Sequence, residues 1–168
     1  GTLGSYYAIS DYCATNPEFG TLEDFDAFVA KAHELGLKVI IDWVANHTSP
    51  DALWITERPA DWYVRDEQGN TIVQYDWTDI AKLNYDNHDM RAEMEKCMRF
   101  WMERGIDGFR CDMACEMPFD FWKDVIPSLR KDYPQMYWLA EGEHTELHNG
   151  SFDASYAWEL HHLLNAIA

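Results

Sequence analysis

Positive charge is what this sequence has least of. In 168 residues, 13 lysines and arginines stand against 30 aspartates and glutamates, a formal charge of −17. That deficit excludes a polyphosphate partner, because nucleic acid binding rests on cations that neutralise phosphates. Long apolar runs are missing too. No stretch approaches the roughly 18 uninterrupted apolar residues of a membrane span, and Gly1-Thr2-Leu3-Gly4 opens without the basic and apolar pattern of a signal peptide. The compartment and the oligomeric state are left open. There is no low-complexity tract, and the four cysteines (Cys13, Cys97, Cys111, Cys115) allow two bridges or none. Cys97 falls on an apolar helix face and reads as a buried thiol. What is present is apolar and aromatic, 47% and 15% of the chain, which is the composition of a folded domain and not of a disordered acidic tail.

The length suits one ordinary domain but falls short of the roughly 250 residues of an α/β barrel. The sequence opens without Met, and a helical pattern persists through Leu163-Leu164-Asn165-Ala166-Ile167-Ala168. The expectation is a segment of a longer chain.

Hydrophobic spacing organises the sequence into repeated units. Leu22, Phe25, Phe28, Val29, Ala32 and Leu35 recur at three- and four-residue steps, which predicts an amphipathic helix over 21–35. Thr21 can cap it, Glu23 and Asp24 suit its first turn, and Gly36 supplies the stop. The apolar run 37–44 then reads as a strand buried on both faces. The unit returns: Met90, Met94, Cys97, Met98, Trp101 and Met102 form one helical stripe, Gly105 ends it, and 106–112 follows as a strand. A looser third copy places a helix over 119–132, a break at Pro134 and a strand over 136–141. A last helix is predicted from about Ser155. Helices alternating with strands of this length predict an α/β fold with parallel βα units. The segment 46–88 breaks the rhythm with tryptophans, tyrosines, Pro50, Pro59 and a Gly69-Asn70 turn. It reads as a small inserted subdomain, with a hairpin around 63–75.

Three predicted strands end in an acid: Asp42, Asp112 and Glu141. In a parallel sheet these carboxylates converge at the strands' carboxyl ends, where α/β folds bind ligands. Paired carboxylates are what glycoside hydrolysis needs, one to attack the sugar and one held protonated to assist the leaving oxygen. Arg110 lies two residues before Asp112 and shares its face of the strand. A guanidinium there favours an ionised Asp112, as a nucleophile requires, or else forms a structural ion pair.

With these residues in place, the sequence resembles the α-amylase family. Asp42-Trp43-Val44-Ala45-Asn46-His47 is similar to its first signature, Gly108-Phe109-Arg110-Cys111-Asp112 to its second, and Leu139-Ala140-Glu141 to its third. Tyr7, four residues before Asp11, matches a sugar-stacking tyrosine, and Leu83-Asn84-Tyr85-Asp86-Asn87 matches a stretch before the third barrel helix. The motifs keep the family's order over essentially the whole chain. The resemblance implies a partial TIM (β/α)8 barrel, from about the end of barrel strand 2 to barrel helix 5, with the inserted subdomain at 47–88 after barrel strand 3. It implies a retaining hydrolase of α-linked glucans, with Asp112 as nucleophile, Glu141 as acid/base, and Tyr7, Asp42, His47 and Arg110 binding substrate. Taken alone, His47 reads as a satisfied loop residue and Tyr7 as core packing; their company gives them the sugar-binding role. Glu143 competes locally with Glu141, but Gly142 marks the strand's end and favours Glu141. The acid must be protonated when substrate binds, so burial beside Asp112 is expected to raise its pKa.

Departures from the family pattern limit the resemblance. Cys115-Glu116 stands where many members carry Lys-His, which affects contacts on the leaving-group side. Lys82 replaces an acid that binds a structural calcium, so no metal or cofactor is expected although Asn46 matches another ligand of that ion. Cys111 and Cys115 lack the partners of a zinc site. His161-His162 reads as partly exposed. Asn87-His88-Asp89 spells the family's fourth signature too early in the order and reads as a helix start, so the third acid is not supplied. The chain alone is therefore expected to be inactive. The alternatives are a transglycosylase or isomerase of the same chemistry, and a non-catalytic carbohydrate-binding homologue. In each the partner is an α-glucan or oligosaccharide, with no nucleic acid and no membrane span.

Overall fold

The computed structural model describes residues 4–167. The opening Gly1-Thr2-Leu3 and the closing Ala168 lie outside the described residues, together with the readings placed on them. Helix α1 (Leu22–Glu34) starts with a capping box: the Thr21 hydroxyl accepts from the Asp24 N–H, while the Asp24 carboxylate accepts from the Thr21 N–H. Strand β1 is Ile40–Trp43. The inserted segment supplies β2 (His47–Thr48), α2 (Leu53–Glu57) and β3 (Ala81–Lys82). Then come α3 (His88–Glu103), β4 (Gly108–Cys111), α4 (Phe119–Asp132), β5 (Tyr137–Ala140), β6 (Ala154–Ser155) and α5 (Trp158–Ile167).

Strands β1, β4, β5 and β6 form one parallel sheet in that order, while β2 and β3 form a separate antiparallel pair. In register, Asp42, Arg110 and Leu139 lie in one row and Ile41, Phe109 and Trp138 in the next, so the two rows face opposite sides. The second row meets the helices. Phe109 stacks on Trp138 with centroids 5.2 Å apart and meets Trp43 edge-on at 5.3 Å. Every member of the predicted α3 stripe is buried, and α4 buries Phe121, Trp122, Val125, Ile126 and Leu129. Gly108 is required at the start of β4. A Cβ there would overlap the Tyr137 carbonyl oxygen and lie 3.0 Å from Ile40 Cγ2, so its absence lets β4 pass between β1 and β5.

Two expectations are corrected. The sheet holds a fourth parallel strand, β6, where the sequence predicts the beginning of a helix. Ala154 and Ser155 pair with Leu139 and Ala140, and α5 begins only at Trp158. A two-residue strand is too short to show a period of two. Between β5 and β6 lies a short 3-10 turn, Thr145–His148, so α5 follows the fourth strand and not the third. Strand β1 is not buried on both faces. Trp43 is buried against the helices, but Ile40 and Asp42 face the open side and are exposed. On that side of β1 the Tyr7 hydroxyl and the Arg110 guanidinium reach Asp42, and none of α5 is buried.

The predicted hairpin is a tight loop, with an Arg65 and Thr71 bridge and Gly69 at φ +83. The Asn87 side chain caps α3 by accepting from the Met90 N–H, which leaves Asp89 in the first turn. All four cysteines are free thiols, with Cys97 buried. His161 and His162 are exposed. Among the described residues no helix is long and apolar enough to cross a membrane.

Candidate active site

Arg110 is the centre of the site because β4 is the sheet's second strand, with an acid-bearing neighbour on each side. Its Nη1 donates to Asp42 Oδ1 at 2.6 Å and to Asp112 Oδ1 at 2.7 Å, its Nη2 to Glu141 Oε1 at 2.8 Å, and its Nε to the Tyr156 hydroxyl at 3.2 Å. One guanidinium thus gathers the three strand-end acids that the sequence singles out. Asp42 is the most exposed of them, with 46% of its side chain open to solvent against 11% for Asp112 and 18% for Glu141. The Tyr7 hydroxyl donates to Asp42 Oδ2 at 3.3 Å.

Tyr7, His47, Arg110, Asp112 and Glu141 line a cavity of about 380 Å³, with Ser5, Trp77, Asp79, Ile80 and Met113 completing the wall. Glu143 turns away, and its carboxylate accepts the Glu159 N–H in the first turn of α5. Glu141 is therefore the cavity's acid.

The carboxylates are held by backbone as well as by Arg110. Met113 takes a left-handed conformation (φ +48), unusual for a residue with a side chain, and from it donates its N–H to Glu141 Oε2 at 2.9 Å. The following turn is tied down by the Ala114 N–H to the Glu141 carbonyl and by the Trp122 indole N–H to the Ala114 carbonyl, at 3.0 and 2.9 Å. Burial pushes Asp112 up to about 6, helped by the neighbouring Glu141 carboxyl and opposed by Arg110.

On the opposite wall, His47 is 3% exposed and its ring Nε2 sits 3.2 Å from the Tyr7 carbonyl oxygen. Burial lowers its pKa, against the Tyr7 hydrogen bond and the Asp79 charge, so the ring is neutral at neutral pH. The loop that carries it is fixed from below by two buried tyrosines. Tyr12 donates to the Val44 carbonyl at 2.7 Å and Tyr85 to the Ala45 carbonyl at 2.7 Å. Trp77 packs against His47 with ring centroids 5.8 Å apart.

Sequence reasoning missed Tyr12, Trp77, Asp79, Ile80 and Met113. Tyr12 lies one residue beyond Asp11, and nothing in its sequence context marks the carbonyls its hydroxyl reaches. The Asn46 side-chain nitrogen contacts Gln74 and His47, and Lys82 stands across from His47 in the β2–β3 pair. Among the described residues no three His, Cys, Asp or Glu side chains converge to hold a metal.

Comparison with known proteins agrees with this geometry. The chain is 38% identical to a solved α-amylase from Lactobacillus plantarum, with a TM-score of 0.90 over 98% of this chain and 42% of that one. It is 31% identical to alpha-amylase 3 of Dictyoglomus thermophilum over 80% of this chain and 32% of that protein. It is 34% identical to an alpha-1,4-glucan:maltose-1-phosphate maltosyltransferase of Arcanobacterium haemolyticum over 84% of this chain and 22% of that protein. The chain thus spans a third or less of the curated relatives it matches, and its parallel sheet is part of their (β/α)8 barrel. The pattern of the alpha amylase catalytic domain matches residues 4–167, and the chain belongs to that family.

Proposed function

We propose that these residues are the central part of a retaining glycosidase that cleaves α-linked glucans or gluco-oligosaccharides by double displacement. The observation that carries this reading is the single guanidinium holding Asp112 and Glu141 together in the cavity. An inverting pair needs a gap of roughly 6.5–9.5 Å for water, whereas a retaining pair stands closer. An ionised Asp112 Oδ attacks the anomeric carbon as the bond to the leaving oxygen breaks, and Glu141 gives its proton to that oxygen. Glu141 then takes a proton from water, which displaces Asp112 and restores both groups. The Arg110 and Met113 donors hold Glu141 as an acceptor, so donating a proton requires exchanging one of those contacts for the leaving oxygen.

Tyr7, Asp42 and His47 position the sugar: the tyrosine as a ring face, the carboxylate as acceptor and the imidazole N–H as donor to hydroxyls. No structural calcium enters this reading, because Lys82 brings a cation where that ion would need an acid. The 168 residues supply two of the family's three acids, so we expect the chain alone to hydrolyse glucans far more slowly than a longer chain from the same source. Comparable rates would refute that. A second reading, glycosyl transfer to a sugar acceptor, is favoured by the similarity to a maltosyltransferase; incubation with maltose separates the two through longer oligosaccharide products. A purely carbohydrate-binding role has no use for a preserved Arg110, Asp112 and Glu141 set.

The test is a mechanism-based fluorosugar that glycosylates the nucleophile as its activated leaving group departs, applied to the longer chain and followed by peptide mass spectrometry. The label is expected on the Asp112 peptide and absent from Asp112→Asn, with Glu143→Gln labelled as in the wild type. A label on another carboxylate would overturn the assignment.

A further inference from the structure

One carboxylate near the site takes no part in that mechanism. Glu116 lies four residues beyond Asp112, at the end of the 3-10 turn Ala114–Glu116, and its Oε2 accepts from Gln74 Nε2 at 2.5 Å. Gln74 Oε1 accepts in turn from Asn46 Nδ2 at 2.7 Å, and the same amide nitrogen lies 3.1 Å from His47 Nδ1. The row ends at His47 Nε2, facing the Tyr7 carbonyl oxygen. Asn46 is 1% exposed, His47 3% and Gln74 9%, so water does not compete for these groups.

We propose that Glu116 is a positioning residue which, through Gln74 and Asn46, fixes the proton of neutral His47 on Nε2. The argument is one of donors and acceptors. A carboxylate has no proton to give, so Gln74 must turn its NH2 toward Glu116 and its oxygen toward Asn46. Asn46 must then present its own NH2, whose second proton points at His47 Nδ1. A nitrogen that receives a hydrogen bond carries no hydrogen, so the ring proton is on Nε2. There it points into the wall formed by Tyr7, where a sugar hydroxyl can accept it. The opposite tautomer would set a lone pair against the Tyr7 carbonyl and offer the sugar no donor.

Every bond in the row is oriented by the anion at its far end, and such buried rows polarise one another. Glu116 is itself held from a second side, since its Oε1 accepts from the Tyr75 hydroxyl at 2.8 Å. Asp79 is the charged group that faces His47 from the inserted segment, and Arg110, Asp112 and Glu141 are the others lining the same cavity. The value of this tautomer for substrate binding rests on the glycosidase reading; the tautomer itself does not.

The test is a long-range proton–nitrogen NMR correlation on the chain labelled with 15N-histidine at neutral pH, with His47 assigned from the spectrum of His47→Gln. The wild type is expected to show Nδ1 unprotonated and Nε2 protonated. Glu116→Lys replaces an acceptor with a donor, reverses each amide in the row, and is expected to shift the tautomer ratio toward Nδ1–H by roughly tenfold or more, as a charge-assisted hydrogen bond commands. Gln74→Met cuts the row and is expected to give a mixture, which carries the test if the lysine variant does not fold. Tyr75→Phe removes the other bond to Glu116 and is expected to leave the ratio unchanged.

A wild type with its proton on Nδ1 would overturn the proposal. So would an unchanged ratio in Glu116→Lys or Gln74→Met, which would mean the Tyr7 carbonyl alone sets the tautomer. A changed ratio in Tyr75→Phe would overturn it as well, by assigning the effect to anchoring of the loop. The spectrum requires no substrate, so it stands apart from any failure of the hydrolase reading.

Discussion

Replacing Arg110 with methionine removes the cation and keeps most of the side chain's volume. Three ion pairs are lost, but they differ in weight. The pair to Asp42 reaches a carboxylate that is nearly half open to solvent and is worth little. Asp112 and Glu141 are 11% and 18% exposed and would be left as two neighbouring buried anions without a counter-charge. Stranding a buried partner costs roughly 3–5 kcal/mol, which in a domain of this size is a loss of roughly 6–20 °C in Tm.

The sign of the pH dependence follows from Asp112. Its pKa is already raised from 3.8 to about 6, and Arg110 is what restrains it, so removing Arg110 raises it further. The deficit of Arg110→Met should be largest near pH 8, where Asp112 is ionised, and should shrink toward pH 5 as Asp112 takes up a proton. Urea unfolding followed by the fluorescence of Trp43 and Trp138, which pack behind the sheet, gives the stability at each pH. Arg110→Met with Asp112→Asn should recover part of the loss at pH 8. A deficit at pH 8 below about 1 kcal/mol, the scale of a surface pair, would refute the reasoning, as would one that does not change between pH 5 and pH 8.

Other predictions concern single groups. Asp112 has a folded pKa above its unfolded one. Its contribution is therefore complete below about pH 4 and is lost as pH climbs through about 6, by at most about 3 kcal/mol. Subtracting the Tm–pH curve of Asp112→Asn from that of the wild type should expose this fall, and a flat difference would contradict it. Gly108→Ala forces β4 away from β5 and should cost roughly 1–3 kcal/mol or more in chemical denaturation; a cost under about 0.5 kcal/mol would show that the strands can part freely. Trp122→Phe strands the Ala114 carbonyl in the turn after Asp112, at roughly 1–3 kcal/mol beyond the vacated volume. Equal stability of that variant would mean the indole bond is replaceable.

What could be read in the sequence was what is periodic or local. The α3 stripe repeats its apolar positions over four turns, and all of it is buried. Asp42, Asp112 and Glu141 could be selected because each closes an apolar strand, and the parallel register makes them meet. Strand β6 was hidden because two residues carry no period. The open face of β1 was hidden because an apolar strand reads alike whether or not something covers it. Trp77, Asp79 and Ile80 reach the cavity only through the course of the inserted segment, which is set by contacts distant in sequence. That Asp112 shows the raised pKa depends on how deeply the fold buries it, and then on the approach of Glu141, which no spacing encodes.

The parallel register described above also sets an order of assembly. Met113 and Glu141 meet across 28 residues, but Asp42 and Arg110 are 68 apart. By loop entropy alone the longer closure costs only about 0.8 kcal/mol more, from 1.5RT times the logarithm of that ratio. The greater consequence is in time. At roughly 5–20 residues per second, a ribosome exposes Ile40–Trp43 for roughly 3–14 s before β4 exists to receive it. When the whole chain refolds and all three strands are present, the shorter closure favours β4 and β5 docking before β1 joins. Pulse-labelled hydrogen exchange should therefore protect the amides of β4 and β5 before those of β1, and the reverse order would refute this sequence of events. During that interval the β1 edge that later receives β4 has no partner, which exposes its backbone groups to pairing with other chains.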